Sequence, residues 1–505
     1  MSDLLIQAIS QVFVFKVIML IGIGTVSGIL VGAIPGLTVT MATAILVSFT
    51  YGWSLLEALA LIMGVFVGGV YGGCQSAILV NIPGAPAAIS TAFDGFPLSQ
   101  RGEAGRAIGI ATSQSFLGGL IGTGVLAILA PPISHFALRF GSFEYFLLGI
   151  FGLTTISRLA SKSLIKGLLS ACFGIFIAMI GVDPVYGVCG RFTYGNTQLM
   201  GGVHFVAALI GLFGLSEVLA QIKLAQFKAI IPKAVGVMPK WSDMKRYFSL
   251  TIRSSFIGVF IGALPGVGGD IASLVAYDNA KRTVKNPSRP FGEGAYEGVV
   301  APETANNACV GGALIPALTL GIPGDAVSAL VLASFFLHGL RPGPLMMVHN
   351  PDSFWAIIIM SIIANVFMLI FGLSLSKVFS YVVAIPKNIL MPIIVVLCVI
   401  GSYAIEGNIF HVWAMVLLGL IGWIMRRFDY SVGAMVLGII LGPIIDQNLR
   451  RSLVLSEGNI IAAIVGRPIS LVLFVIIIVL IISEIPIVKL FWYKIFSGLS
   501  KKTHS

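Results

Sequence analysis

Long stretches of this chain carry no charged side chain, and that feature decides what it can fold into. Asp, Glu, Lys and Arg are absent from Val17 to Leu56, Ala58 to Phe93, Ala107 to Leu138, Ser353 to Ser376 and Asn388 to Ile405. A bilayer core needs about 20 apolar residues per helical span. The first two stretches are therefore each long enough for roughly two passes, and the chain for about 12. Only 10% of the 505 residues are charged and 57% are hydrophobic, whereas a soluble domain would carry roughly a quarter as charges. Strand-type alternation is absent, which disfavours an outer-membrane barrel. The reading is an all-α polytopic membrane protein whose surface faces a lipid bilayer.

The remaining charge fits that reading. The net charge of +11 sits mostly in loops between apolar segments, where the positive-inside rule accounts for it without a nucleic-acid partner. No cleavable signal is visible, because MSDLLIQAIS holds an acid and no base and the first lysine is Lys16. Cys74, Cys172, Cys189, Cys309 and Cys398 form no CxxC pair and read as small buried hydrophobes. The histidines are dispersed with no HExxH, so a metal site beyond a bound Na⁺ is not expected.

The chain is a tandem of two related halves. GILVGAIPGL at 28–37 recurs as GVFIGALPGV at 258–267, and GGCQSAILVNIPGAPAA at 72–88 aligns with GGALIPALTLGIPGDAV at 311–327. Residues 1–221 make a first transmembrane repeat, 222–246 a basic linker, 247–450 a second repeat, and 451–505 an extra helix and tail. Lys223, Lys228, Lys233, Lys240, Lys245, Arg246 and Arg253 face only Asp243, so the linker is placed in the cytoplasm. With the N-terminus outside, the first half crosses an odd number of times and the second is inverted. A last apolar run, Ile469 to Ser483, would return Lys489, Lys494, Lys501 and Lys502 to the cytoplasm. Arg450 and Arg451 fit this scheme badly. Inverted repeats are a recurrent plan of secondary transporters, with the substrate site at their interface.

Pro35-Gly36, Pro83-Gly84, Pro265-Gly266 and Pro323-Gly324 interrupt apolar sequence at corresponding places in the two halves. One such break could be a kink. Four in symmetric positions point to broken or re-entrant helices, which survive in a bilayer only where they are buried or line a wet cavity. Their free N–H groups suit carboxylates and their free carbonyls suit a hard cation. Around them lie Asn81, Ser90, Thr91 and Asp94 in the first half, and Asp270, Glu303, Thr304, Asn306, Asn307, Thr319, Asp325 and Ser328 in the second. The substrate-binding candidates are the four Pro-Gly pairs with Asn81, Asn306 and Asn307. The cation or coupling candidates are Asp94, Asp270, Glu303, Thr319, Asp325 and Ser328, with Asp94 near a loop and equally at home at an interface.

GAIPGL, YGGCQSAILVNIPGAPAAISTAFDGFPLSQRGEAGRAIG, GALPGVGGDIAS and EGVVAPETANNACVGGALIPALTLGIPGDAVSALVLASFFLHGLRPGP resemble the large membrane subunit of the tripartite tricarboxylate transporters. The resemblance covers both halves, leaving out the linker and the tail after Ser483. It implies a bacterial inner-membrane carrier that works with a smaller membrane subunit and a periplasmic substrate-binding protein. It also implies an ion gradient, not ATP. Carried over by position, Asn81, Pro83, Gly84, Asn306, Asn307, Pro323 and Gly324 would line the pocket. Ala85 and Asp325 stand where the family more usually has a hydroxyl residue, and Asp270 where it has a small residue or proline. Two added acids beside an anion site disfavour a trianion such as citrate unless a cation neutralises them; carboxylates as a class are unaffected.

Energetics ask for coupling independently. Moving one charge through 100 mV is worth about 2.3 kcal/mol, so importing a trianion into a negative cell opposes roughly 7 kcal/mol per 100 mV. No GxxxxGK[ST] loop is present to use ATP. The expectation is Na⁺ or H⁺ symport of a small di- or tricarboxylate without further cofactors, by elevator-like movement of the Pro-Gly elements. A passive anion channel is the alternative. An intramembrane enzyme is a weaker one, since GxSxG and HExxH are both missing.

Overall fold

Proline and glycine punctuate the helices of the first half. In the computed structural model, which describes residues 2–159, 163–183, 187, 190–221, 237–239, 241–382 and 387–483, these are α1 (Ser2–Val12), α2 (Phe15–Ala33), α3 (Val39–Phe49) and α4 (Leu55–Val80), then a 3₁₀ turn over Pro86–Ala88. They continue with α5 (Ile89–Gln100), α6 (Ala104–Ala137), α7 (Ser142–Leu159) and α8 (Leu164–Ala178). A short antiparallel ribbon of β1 (Gly181–Val182) and β2 (Gly190–Arg191) follows. The half closes with α9 (Thr197–Met200), α10 (Phe205–Leu209), a π-helical segment Ile210–Leu215 and α11 (Ser216–Gln221). Pro35 drives Ile34 out of the helical region to φ −82°, ψ 117°, which ends α2. Thr38 then starts α3 by accepting the N–H of Met41.

The second half supplies α12 (Trp241–Gly262), α13 (Gly268–Thr283), α14 (Glu297–Leu320), α15 (Ala326–Leu337), α16 (Met346–His349) and α17 (Pro351–Ser374). It continues with α18 (Ser376–Val382), α19 (Lys387–Ala404), α20 (Ile409–Arg427), α21 (Val432–Leu455), α22 (Ile460–Val465) and α23 (Pro468–Ile482). Among the described residues, six helices are long and apolar enough to cross a membrane: α2, α4, α6, α17, α20 and α21. Seven shorter apolar helices accompany them, so the chain is an all-α polytopic membrane protein. The inner stretch of the basic linker, Lys240, Cys189 and the tail after Ser483 lie outside the described residues.

Two compact units divide the chain, and each draws on both halves: residues 1–138 with 203–428, and residues 139–202 with 429–505. In the first unit, α2 and α4 interlock through glycines one turn apart. Gly24, Gly28 and Gly32 abut the carbonyls of Leu61, Val65 and Gly69, while Gly64, Gly68 and Gly72 abut those of Ile21, Thr25 and Ile29. Small residues let helix backbones approach closely where lipid gives no hydrophobic drive to pair. The second half repeats the device, with Gly258 and Gly262 of α12 against Ala305 and Cys309 of α14. α6 meets α14 the same way, Gly118 on Thr304 and Gly122 on Ala308.

In the second unit, Gly438 of α21 abuts Ala171 of α8, and Gly174 of α8 abuts Met435 of α21. The first unit holds a counterpart: Gly211 of the π-helical segment abuts Met415 of α20. Each contact joins a helix of one half to a helix of the other. Arg450 is explained here. It pairs with Asp446 and Asp183 at 3.0 Å each, and Arg191 bonds Asp446 at 3.0 Å, so two arginines and two aspartates neutralise one another. A residue engaged in this way says little about which side of the membrane its loop faces.

At one end of the first unit, polar residues tie the start of α6 to the α13–α14 connection. Glu103 bonds Arg289 at 2.6 Å and accepts from the Tyr296 hydroxyl. The Arg289 guanidinium holds the Glu103 carboxyl below the usual range. Arg106 bonds Asp243 at 3.0 Å and lies over the Tyr296 ring.

Candidate functional site

The four breaks are built as two matched pairs. α4 ends at Asn81, held in the left-handed conformation at φ 56°, and α14 ends at Gly321 in the same conformation at φ 72°. Such a C-terminal residue turns the chain out of the helix, a role suited to Gly and, less often, Asn. The chain then passes Pro83-Gly84 or Pro323-Gly324 and re-enters a helix. Gly84 closes on the carbonyl of Gly32, and Gly324 on that of Gly262. Each second break is thereby locked to the end of the helix that precedes the first.

Three breaks then meet. The Gly266 N–H donates to the Gly324 carbonyl at 2.7 Å. Gly268 faces the Cβ of Asp325, and Gly269 faces Ala87 and the Oδ1 of Asn306. The backbone of Ala87, in the turn before α5, lies near the carboxylate of Asp270, as does Asp325. Asn306 donates its Nδ2 to the Val70 carbonyl of α4 at 3.1 Å. The remaining break is turned elsewhere: the Gly36 carbonyl accepts from Gln221, which is bonded to Glu217, itself paired with Arg426.

Several sequence-derived candidates have their polar atoms engaged within the fold. Asp94 Oδ1 accepts from the N–H groups of Gly292, Gly294 and Ala295 at 2.8–2.9 Å, and its Oδ2 from the Tyr277 hydroxyl at 2.8 Å. It clasps α5 to the loop before α14. Ser328 and Asp325 form a capping box at the start of α15, with Ser328 N–H donating to Asp325 Oδ1 at 2.6 Å. Thr319 donates to the Ile315 carbonyl. Pro35 lies buried beside the helix end it breaks, and Pro265 and Pro323 flank the Gly266–Gly324 contact.

Glu303 has a different setting. It is 1% exposed on α14, accepts from Thr91 of α5 at 2.6 Å and from Ser115 of α6 at 3.0 Å. One turn on, Asn307 donates to the Glu303 carbonyl, and its Oδ1 has no hydrogen-bond partner among the described residues.

Sequence reasoning passed over a second buried polar group. Gln75 of α4 donates to the Tyr71 hydroxyl at 2.6 Å, and that hydroxyl lies 2.7 Å from Thr112 of α6. The Oε1 of Gln75 and the Oδ1 of Asn365 on α17 have no hydrogen-bond partner among the described residues. An amide in the middle of a charge-free run is itself a signal, since polar groups inside a membrane segment are expensive and face the interior.

Residues 18–437 match the sequence profile of the tripartite tricarboxylate transporter TctA family. A relative from Agrobacterium vitis, described as an uncharacterized 52.8 kDa protein in the TAR-I ttuC′ 3′ region, is 36% identical over 438 residues, covering 86% of this chain and 87% of its own length. A second from the same organism, described as an uncharacterized protein in the TAR-II ttuC′ 3′ region, is 40% identical over 202 residues, 40% of this chain and 83% of its own. No solved structure gives a significant match. The chain, a multi-pass membrane protein, belongs to the tripartite tricarboxylate transporter TctA family, whose transporters contain further subunits.

Proposed function

We propose that this chain is the subunit that carries a small di- or tricarboxylate across the bacterial inner membrane, in symport with Na⁺ or H⁺. A periplasmic binding protein delivers the substrate, and a smaller membrane subunit completes the complex. The observation that carries this reading is the meeting of three helix breaks around Ala87, Asp270 and Asp325. The turn that leads into α5 lies near a carboxylate there, that of Asp270, and free N–H groups at a broken helix favour such a group. A substrate carboxylate would take the place of that internal one.

Asp270 and Asp325 then set the requirement for a cation. An anionic substrate entering beside two carboxylates needs positive charge brought with it, and the membrane potential asks for the same. Asn306, nine-tenths buried with its Oδ1 aimed at Gly269, supplies a neutral contact between the breaks. Movement of the matched break pairs against the rest of the bundle gives alternating access, by analogy with other inverted-repeat carriers.

The test is uptake into proteoliposomes holding all three proteins. A panel of labelled di- and tricarboxylates is offered under an imposed Na⁺ gradient, then under a proton gradient. Accumulation that depends on the binding protein and on one gradient supports coupled symport and names substrate and ion. Equilibration indifferent to both gradients would replace symport with a passive pore.

A further inference from the structure

We infer that Glu303 is a proton-binding site of the transport cycle, taking up and releasing one proton inside a cage of hydroxyl groups. This rests on the transport reading and adds to it a residue away from the acid pair. The first argument is burial without counter-charge. Glu303 is 1% exposed, and the partners of its carboxyl are the Thr91 and Ser115 hydroxyls, not a base. A lone carboxylate in such a place is costly, and a proton removes that cost.

The second argument concerns how the hydroxyls are used. Buried hydroxyls nearby are pinned to their own helix: Thr112 donates to Ile108, Ser113 to Gly109 and Thr304 to Val300. Thr91 and Ser115 donate to Glu303 instead. A hydroxyl can both give and accept. With the carboxylate, both hydroxyls donate; with the acid, one turns and accepts the Glu303 proton. The cage can therefore hydrogen-bond both states, at the cost of turning one hydroxyl from donor to acceptor.

Contact distances favour H⁺ over Na⁺. The oxygens of Thr91 and Glu303 are 2.6 Å apart, and α6 presses so close that Gly118 abuts the Thr304 carbonyl. At that spacing the Thr91 and Glu303 oxygens share a proton and not a metal ion.

The surrounding titratable groups are otherwise engaged or uncharged. Tyr71 and Cys74 face Glu303 from α4. Asp94 of α5 is bound to the loop before α14, and Arg106 of α6 to Asp243 of α12. Arg253 of α12 forms no ion pair with Glu303. On α13, Asp270 and Tyr277 turn to Ala87 and Asp94. On α14 itself, Glu297 bonds Ser288, and Cys309 lies toward Asp270 and Asp325. Thr91 links the site to transport, since α5 directly follows the break at Pro83-Gly84. Displacing that break removes one of the two hydroxyls that hold the carboxyl.

Infrared difference spectra of the full-length chain in lipid nanodiscs, recorded across a pH titration, test this directly. A carboxylic-acid carbonyl band should titrate in the parent protein and be missing in Glu303→Gln. Thr91→Val and Ser115→Ala should each displace its midpoint by about one pH unit, which keeps the test open if Glu303→Gln fails to fold. In proteoliposomes of the whole complex, Glu303→Gln should abolish the response of uptake to a proton gradient and Glu303→Asp should partly restore it. A band that does not titrate, midpoints unmoved in both hydroxyl variants, or a Glu303→Gln protein still driven by the proton gradient would overturn the proposal. If the parent complex accumulates nothing under either gradient, symport fails, while the infrared titration still decides Glu303.

Discussion

The two halves share their break geometry and differ in what they place on it. Gly84 sits on Gly32 as Gly324 sits on Gly262, and a left-handed residue ends α4 as one ends α14. Yet Asn81 is exposed where Gly321 is buried, and Ala85 opens its turn without a side-chain cap where Asp325 forms a capping box. Thr40 stands where the second half has Asp270, and Met63 where it has Glu303. Backbone architecture is duplicated and acidic chemistry is not. Symmetric packing supplies two elements of the same shape, and one of them carries the negative charge. Position in a repeat therefore predicts packing well and chemistry poorly.

The strongest way to break this comparison is to fill the two interlocks. Gly84→Ala and Gly324→Ala should each destabilise the protein by about 1–3 kcal/mol, because a backbone carbonyl cannot move aside for a methyl group. Thermal unfolding in detergent checks this, and a cost in one half alone would refute equivalent packing. Next in size are the left-handed ends. Asn81→Ala should cost about 1–2 kcal/mol, as should Gly321→Ala, while Asn81→Gly should be close to neutral.

The acid in the second half can be separated into cap and charge. Asp325→Ala should lose about 1 kcal/mol of stability with the cap. Asp325→Asn keeps an acceptor for the Ser328 N–H, so stability should hold while cation dependence of uptake changes. Unchanged cation dependence would leave Asp325 a cap alone. The smallest effect lies outside the bilayer. Because the folded Glu103 carboxyl is held below its ordinary value by Arg289, its contribution is full above that ordinary value, about 4.3. It fades as pH falls through the lowered one. The gap in melting temperature between the parent and Glu103→Gln should therefore close in acid.

The breaks were legible because proline and glycine act on the backbone locally. Pro35 ends α2 and Pro83 follows the end of α4 whatever surrounds them. Asp94 was not legible in the same way. Its three N–H partners lie about 200 residues further along, in a loop whose approach nothing in FDGFPLSQRGEAGR announces. Arg450 fits the loop-charge count badly for a related reason, since that count cannot register its pairing with Asp183 and Asp446. Gln75 and Ser115 escaped because each is an uncharged polar residue in a largely apolar helix, and only the packed neighbours show what it meets. Local backbone chemistry reads from sequence; partner choice between distant helices does not.

The weaving of the two halves has a consequence for synthesis. α8 ends at Ala178 and its glycine partner α21 begins at Val432. At about 5–20 residues per second, the ribosome needs on the order of 13–50 s to cover that distance. During this time α8 waits in the bilayer, its backbone satisfied within the helix but its small-residue face unpaired. A ribosome that stalls before α21 emerges leaves that face open to any other membrane helix.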